Sequence, residues 1–175
     1  MIINKQESIM TNHVLEFLKT LVGKDLKSSP SPIGVWLNGT LVSIEKGKAC
    51  IRYIVRKEMT NPLGTLQGGI FTTMMDDALG VAVYSLGEDK LYVTINFYVD
   101  FLESVHENDA ITIEASVLRK GKSLLNVEIK AINDLNKIVA HGKSNLAVRT
   151  VDGLVLPKYE GMEKKYPGLT FQNKD

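Results

Sequence analysis

The segment from Ile70 to Leu86 constrains the fold more than any other. Its apolar residues, among them Phe71, Met74, Met75, Ala78, Leu79, Val81, Ala82 and Val83, recur at helical spacing yet do not gather on one stripe. A helix that is apolar nearly all round is buried on more than one side, so the rest of the chain must wrap it. Gly87 supplies its stop signal. The wrapping material reads as strands. Two runs precede the helix, roughly Gly34–Ile44 and Lys48–Lys57, with Glu45-Lys46-Gly47 as a hairpin turn. Four follow it with period-two alternation, near residues 91–101, 111–117, 125–131 and 138–149, the later turns being Arg119-Lys120-Gly121-Lys122 and Asn133-Asp134-Leu135-Asn136. In the first of these, Leu91, Val93, Ile95, Phe97, Val99 and Phe101 face one way, and Tyr92, Thr94, Asn96, Tyr98 and Asp100 the other. The order predicts an α+β domain: an antiparallel sheet of about six strands wrapped around one long central helix.

The ends are of another kind. From Lys5 to Lys24, Ile9, Val14, Leu15, Leu18, Leu21 and Val22 recur every three or four residues, which predicts an amphipathic helix. Ser28-Ser29-Pro30-Ser31-Pro32 follows as a stiff linker, and the tail from Pro157 is polar, so a surface or unstructured position is expected. The chain therefore divides into residues 1–32 (helix and linker), 33–150 (the wrapped-helix domain) and 151–175 (tail). Across its 175 residues, 21 Lys and Arg balance 20 Asp and Glu to a net charge of +1, which argues against a dedicated nucleic-acid binder. One cysteine, Cys50, excludes an intramolecular disulfide and a cysteine metal cage. The first ten residues lack the apolar core of a signal peptide, and no stretch approaches the ~20 apolar residues of a membrane span, so a cytoplasmic protein with no membrane partner is expected.

Several constellations carry no chemistry. Gly-Lys-Ser occurs at 121–123 and 142–144, but Ser116 and Lys137 stand where a phosphate loop needs its first glycine. His13, His106 and His141 are too scattered for a local metal motif, and no metal is expected. What remains is the turn-rich stretch from Asn61 to Gly69, then Asp76 inside the apolar helix. Gly68-Gly69 is either a helix entry packed close to a strand or a place where unpaired N–H groups, at the positive end of the helix dipole, polarise a carbonyl or bind an anion. Asp76 has Met74, Met75, Ala78 and Leu79 around it, and a carboxylate in such company is a candidate base or nucleophile with a raised pKa. Asp77 points about 100° away and is expected to be solvated or paired at the helix edge.

The run NPLGTLQGGIFTTMMDDALGVA, with the later strand YVTINFYVDFL, resembles the hotdog-fold acyl-CoA thioesterases of the phenylacetic-acid-degradation type, over about Gly34 to Arg149. The family pattern of Asn, Gly, His-Gly-Gly and an acidic residue nine positions after the His falls on Asn61, Gly64, Gln67-Gly68-Gly69 and Asp76. Gln67 replaces the usual His; it still offers an N–H donor but cannot become cationic. The resemblance implies hydrolysis of an acyl-CoA to free acid and coenzyme A, the latter being part of the substrate, with no separate cofactor. Asp76 would be general base or nucleophile, Thr94 would orient the water, and the Gly68 N–H with Gln67 would hold the thioester oxygen. Asn61 would contact the Asp or the substrate, or simply serve its Asn-Pro turn. Gly69, Arg119, Lys120 and Lys122 are candidates for the coenzyme A portion. The hydratases of this fold place a His five residues after an Asp; Phe101 and Asn136 stand there instead. A non-catalytic acyl-CoA-binding or sensing protein is the alternative, favoured by Gln67, whereas Asp76 with Thr94 favours the enzyme. Gly68 and Asp76 are eight residues apart, about 12 Å along a helix axis, too far to serve one reacting carbon. The expectation is therefore a homodimer at least, or a tetramer as a dimer of dimers, with sites built from two chains.

Overall fold

A computed structural model describes residues 12–151 and 159–165. The elements run α1 (His13–Lys19), α2 (Pro32–Leu37), β1 (Thr40–Glu45), β2 (Lys48–Ile54), a 3-10 turn (Lys57–Met59), α3 (Gly68–Tyr84), β3 (Leu91–Phe101), β4 (Ala110–Lys120), β5 (Leu124–Asn133), β6 (Ile138–Arg149) and α4 (Met162–Lys165). The strands form one six-stranded sheet in the order β1-β2-β4-β5-β6-β3, with every neighbouring pair antiparallel. Helix α3 lies across one face of it. Met74, Met75, Ala78 and Ala82 have no exposed surface, and the inward residues of β2, β4 and β5 (Ile51, Ile113, Ile129) close over them. Gly142 of β6 marks the tightest approach, since a Cβ there would come within 2.9 Å of the Met75 methyl. This is the hotdog arrangement that the sequence leads one to expect.

Several expectations are corrected. The stretch Gly34–Leu37 is helical and not part of a strand. Ser31 caps α2 by accepting the Gly34 N–H at 3.2 Å, Pro32 sits at its first turn, and Asn38 ends it in the left-handed region at φ 54°, so β1 starts only at Thr40. Likewise β2 ends at Ile54, before the 3-10 turn. Arg119 and Lys120 belong to β4, which leaves Gly121–Ser123 as the turn. Of the amphipathic helix, His13–Lys19 is present, and residues 1–11 lie outside the described ones. In the tail, Tyr159 and Met162 are buried, at 3% and 0% exposure, because they pack on the side of α3 through Tyr84, whose ring lies 5.7 Å from that of Tyr159.

Strand β3 is an edge and carries a bulge between Thr94 and Asn96. The extra residue, Ile95, reverses the alternation. Before it, Tyr92 and Thr94 lie opposite Val148 and Leu146 and face α3; after it, Phe97 and Val99 lie opposite Ser144 and Gly142 and do so. The strict alternation read from the sequence fails at this residue. Thr94 consequently stands on the helix side of the sheet. Among the described residues no helix is long and apolar enough to cross a membrane.

Candidate active site

The site parts are strung along α3. At its amino end, Asn61 organises the entry loop. Its Oδ1 accepts the N–H groups of Leu63 (2.9 Å) and Thr65 (3.3 Å), and its Nδ2 donates to Thr65 Oγ1 at 2.8 Å. Gly64 turns the loop at φ 76°. Gln67 is the N-cap of α3: Oε1 accepts the Ile70 N–H at 2.9 Å, while its backbone N–H donates to Met59 O. That cap occupies the amide oxygen and leaves Nε2 to donate. The Gly68 and Gly69 N–H groups have no acceptor among the described residues, as helix starts generally leave them. A hollow lined by Gly68, Phe71, Phe101 and Glu103 opens over this end.

Two turns on, Asp76 and Thr94 line one groove of about 240 Å3 between α3 and the bulged edge strand, with Leu79, Val83, Tyr92 and Leu146 as its apolar walls. Asp76 is exposed to this groove and accepts no hydrogen bond among the described residues, yet the packing around its carboxyl raises its pKa above the ordinary aspartate value. At the groove's rim Glu88 accepts from Tyr92 Oη at 2.9 Å and pairs with Lys120 and, at 3.7 Å, with Lys90. Of the three basic turn residues, Lys120 thus reaches the rim; Arg119 and Lys122 are exposed and do not line the groove. The fold brings together Asp76 and Thr94, and separately Gln67, Gly68 and Gly69. It places Asn61 in its loop.

Asp77 takes the second of the two places expected of it, partnered instead of solvated, and it is the more enclosed of the two aspartates. Its Oδ2 accepts from Tyr53 Oη at 2.8 Å, and the phenol is itself fully buried. Burial raises the Asp77 pKa; the Tyr53 hydrogen bond opposes this, and the Asp76 charge adds to it. Helix α2 makes the enclosure, and Gly34 permits it: a Cβ there would stand 2.8 Å from Asp77 Oδ1. A second cavity, of about 320 Å3, lies here, lined by Ser29, Ile33, Asp77, Val81, Tyr84 and Tyr159, with Asp76 at its edge. The sequence reading missed Asp77, Lys90 and Glu88. For Asp77 the available signal was Ser31-Pro32 as a helix start, which brings Gly34 against α3.

The Thioesterase superfamily profile matches residues 63–140. The human acyl-coenzyme A thioesterase 13 is 30% identical over 105 residues, which span 59% of this chain and 75% of that protein. Among solved structures, the PaaI protein of the Escherichia coli phenylacetic acid degradation operon superposes with a TM-score of 0.61 at 26% identity, covering 64% of this chain and 84% of that one. A Streptococcus mutans protein, smu.793, solved bound to acetyl CoA, gives a TM-score of 0.61 at 25% identity, with 65% and 90% covered. With the six-stranded sheet packed on α3, these similarities place the chain: it belongs to the thioesterase superfamily and is a thioester hydrolase of the hotdog fold.

Proposed function

We propose that the protein hydrolyses an acyl-CoA thioester to the free acid and coenzyme A, at a site completed by two copies of the chain. The observation that carries this reading is the shared groove of Asp76 and Thr94, a carboxylate of raised pKa beside a hydroxyl. Thr94 Oγ1 holds a water, and Asp76 takes its proton as the water oxygen bonds to the thioester carbon. The negative charge on the carbonyl oxygen is met by the Gly68 N–H and Gln67 Nε2. The tetrahedral adduct then collapses: the C–S bond breaks, and the departing thiolate of coenzyme A takes the proton from Asp76. Attack by Asp76 itself would give the same products through a mixed anhydride; the hydroxyl at its side favours water. The names of the human relative and of the acetyl-CoA-bound bacterial structure support an acyl-CoA substrate. Lys120 and Lys90 at the groove rim, with Arg119, Lys122 and the Gly69 N–H, are the groups offered to the coenzyme A phosphates.

Strand β3 supports the two-chain reading. Asp76 and Thr94 lie near its start, whereas the Gly68 hollow includes Phe101 at its end. The strand is an edge with Val93 (45%), Ile95 (58%) and Tyr98 (58%) exposed, an apolar edge of the kind that pairs with another strand. Antiparallel pairing with the same strand of a second copy, centred near its middle, sets the end of one strand beside the start of the other. Gly68 of one copy is then delivered to Asp76 of the other. A thiol-release assay across acyl-CoA thioesters tests the reading. Turnover by the wild-type chain that collapses in Asp76→Asn is expected, and near-wild-type turnover in that variant would overturn the role of Asp76.

A further inference from the structure

We infer that the cavity behind Asp76 receives the far end of the acyl group and that Asp77 there accepts a hydrogen bond from a donor on that group, so that Asp77 and Gly80 set substrate preference. The inference rests on the thioesterase reading above and adds the substrate class. Its first support is continuity. Asp76, Gly80 and Tyr84, spaced four residues apart along one ridge of α3, line both the catalytic groove and the cavity. A substrate with its carbonyl at Asp76 reaches the cavity along this ridge, across Gly80.

Gly80 is the second support. It lies in the interior of α3, where glycine is about 1 kcal/mol worse than alanine. Among the described residues nothing stands within 4 Å of where its Cβ would be, so none of them requires the small residue. What the glycine leaves is open space between the two hollows.

The third is the chemistry inside. Ile33, Val81, Tyr84 and Tyr159 make apolar and aromatic walls. Against them, besides Asp76 at the edge, stands the Asp77 carboxylate, which can accept several hydrogen bonds and among the described residues receives one, from Tyr53. No Lys or Arg pairs with Asp77 among the described residues. A half-buried acceptor with capacity to spare and no counter-cation among the described residues is complemented by a hydroxyl or an ammonium group, and when ionised it repels an acyl chain that ends in an anion. Helix α2 and Tyr159, which form one wall of the cavity, fall outside the matched residues 63–140, whereas Asp77 and Gly80 lie within them.

The test measures kcat/KM for acetyl-, hexanoyl-, 6-hydroxyhexanoyl- and 6-aminohexanoyl-CoA with the wild-type chain, Asp77→Asn and Gly80→Leu, each checked for folding by its thermal melt. Wild type should prefer one of the donor-ended thioesters over hexanoyl by at least about tenfold; the better of the two says whether the donor is hydroxyl or ammonium. Asp77→Asn, which still offers Tyr53 an acceptor, should cut that preference severalfold. Gly80→Leu should lower every six-carbon substrate relative to acetyl. Equal rates on hexanoyl and both donor-ended thioesters, or a preference untouched by Asp77→Asn, would overturn the inference while leaving the thioesterase reading in place. A Gly80→Leu chain that keeps its ratios but loses its dimer would assign that position to the subunit interface and overturn the passage. Failure of wild type on all four thioesters would overturn the thioesterase reading and the subsite with it.

Discussion

The two working regions of α3 are built on opposite principles. At the amino end the proposed functional groups are backbone: the Gly68 and Gly69 N–H groups, left over by the helix and presented by the Gln67 cap and the Asn61 loop. In the middle they are side chains, Asp76 on the helix and Thr94 on the bulged strand, and their placement depends on packing between two elements. In the proposed reaction one region offers positive dipoles to a carbonyl oxygen, the other a base to a water. Eight residues of helix, about 12 Å, keep them apart within a chain. On the proposed mechanism a thioesterase that needs both draws them from different chains, and the two regions should respond to different kinds of substitution.

The largest effect should come from the side-chain region. Asp76→Asn removes the base and should lower kcat by about 10²–10⁴. Because burial raises this carboxyl's pKa, and because the base works only when ionised, kcat/KM should rise with pH through a value above the ordinary aspartate range; an acidic limb that persists unchanged in Asp76→Asn would assign it elsewhere. In the backbone region only proline removes a donor. Gly68 is the first residue of α3, where proline is well tolerated, and Gln67 already has the extended φ −67°, ψ 130° that a following proline demands. Gly68→Pro should therefore fold and bind yet lose about 10²–10³ in kcat; a melt equal to wild type with full activity would remove the N–H from the account. Thr94→Val keeps the shape and deletes one hydrogen bond, so a loss of about two- to tenfold is expected. Gln67→Ala should cost less in rate and also lose a helix cap of about 1 kcal/mol, visible in the melt, with Gln67→His close to wild type.

The smallest effect separates the neighbouring aspartates. Burial, reinforced by the Asp76 charge, raises the Asp77 pKa in the folded chain despite the Tyr53 hydrogen bond. The folded state then holds a proton that the unfolded state has released, so stability falls as pH rises from the ordinary aspartate value through the raised one. Asp77→Asn should reduce that slope in denaturant titrations at a series of pH values, leaving the share of Asp76, whose pKa is also raised. A slope unchanged by the substitution would place its origin in other groups.

The central helix and the strands after it were legible because burial imposes periodicity on long segments. Gly34-Val35-Trp36-Leu37 misled, for β-prone side chains outweighed the Ser31-Pro32 helix start, which is strong only once Gly34 and Asp77 are seen to touch. The Ile95 bulge has no signature of its own, since an extra residue in a strand is defined by its partner's register; hence the facing of Thr94 escaped the sequence although the residue itself did not. The motif from Asn61 to Asp76 was legible from spacing along one chain. The relative burial of Asp76 and Asp77 was not, being set by α2 and Tyr159, which are far from α3 in sequence.

Subunit complementation tests the division between the two regions most directly. Asp76→Asn and Gly68→Pro chains are each purified, mixed and allowed to exchange. In a mixed dimer one site gathers both defects and the other is whole. Random exchange makes half the dimers mixed, each with one working site, so about a quarter of wild-type activity should return. No recovery after mass-verified exchange, or full activity in a chain shown to be monomeric, would mean that each chain builds its site alone.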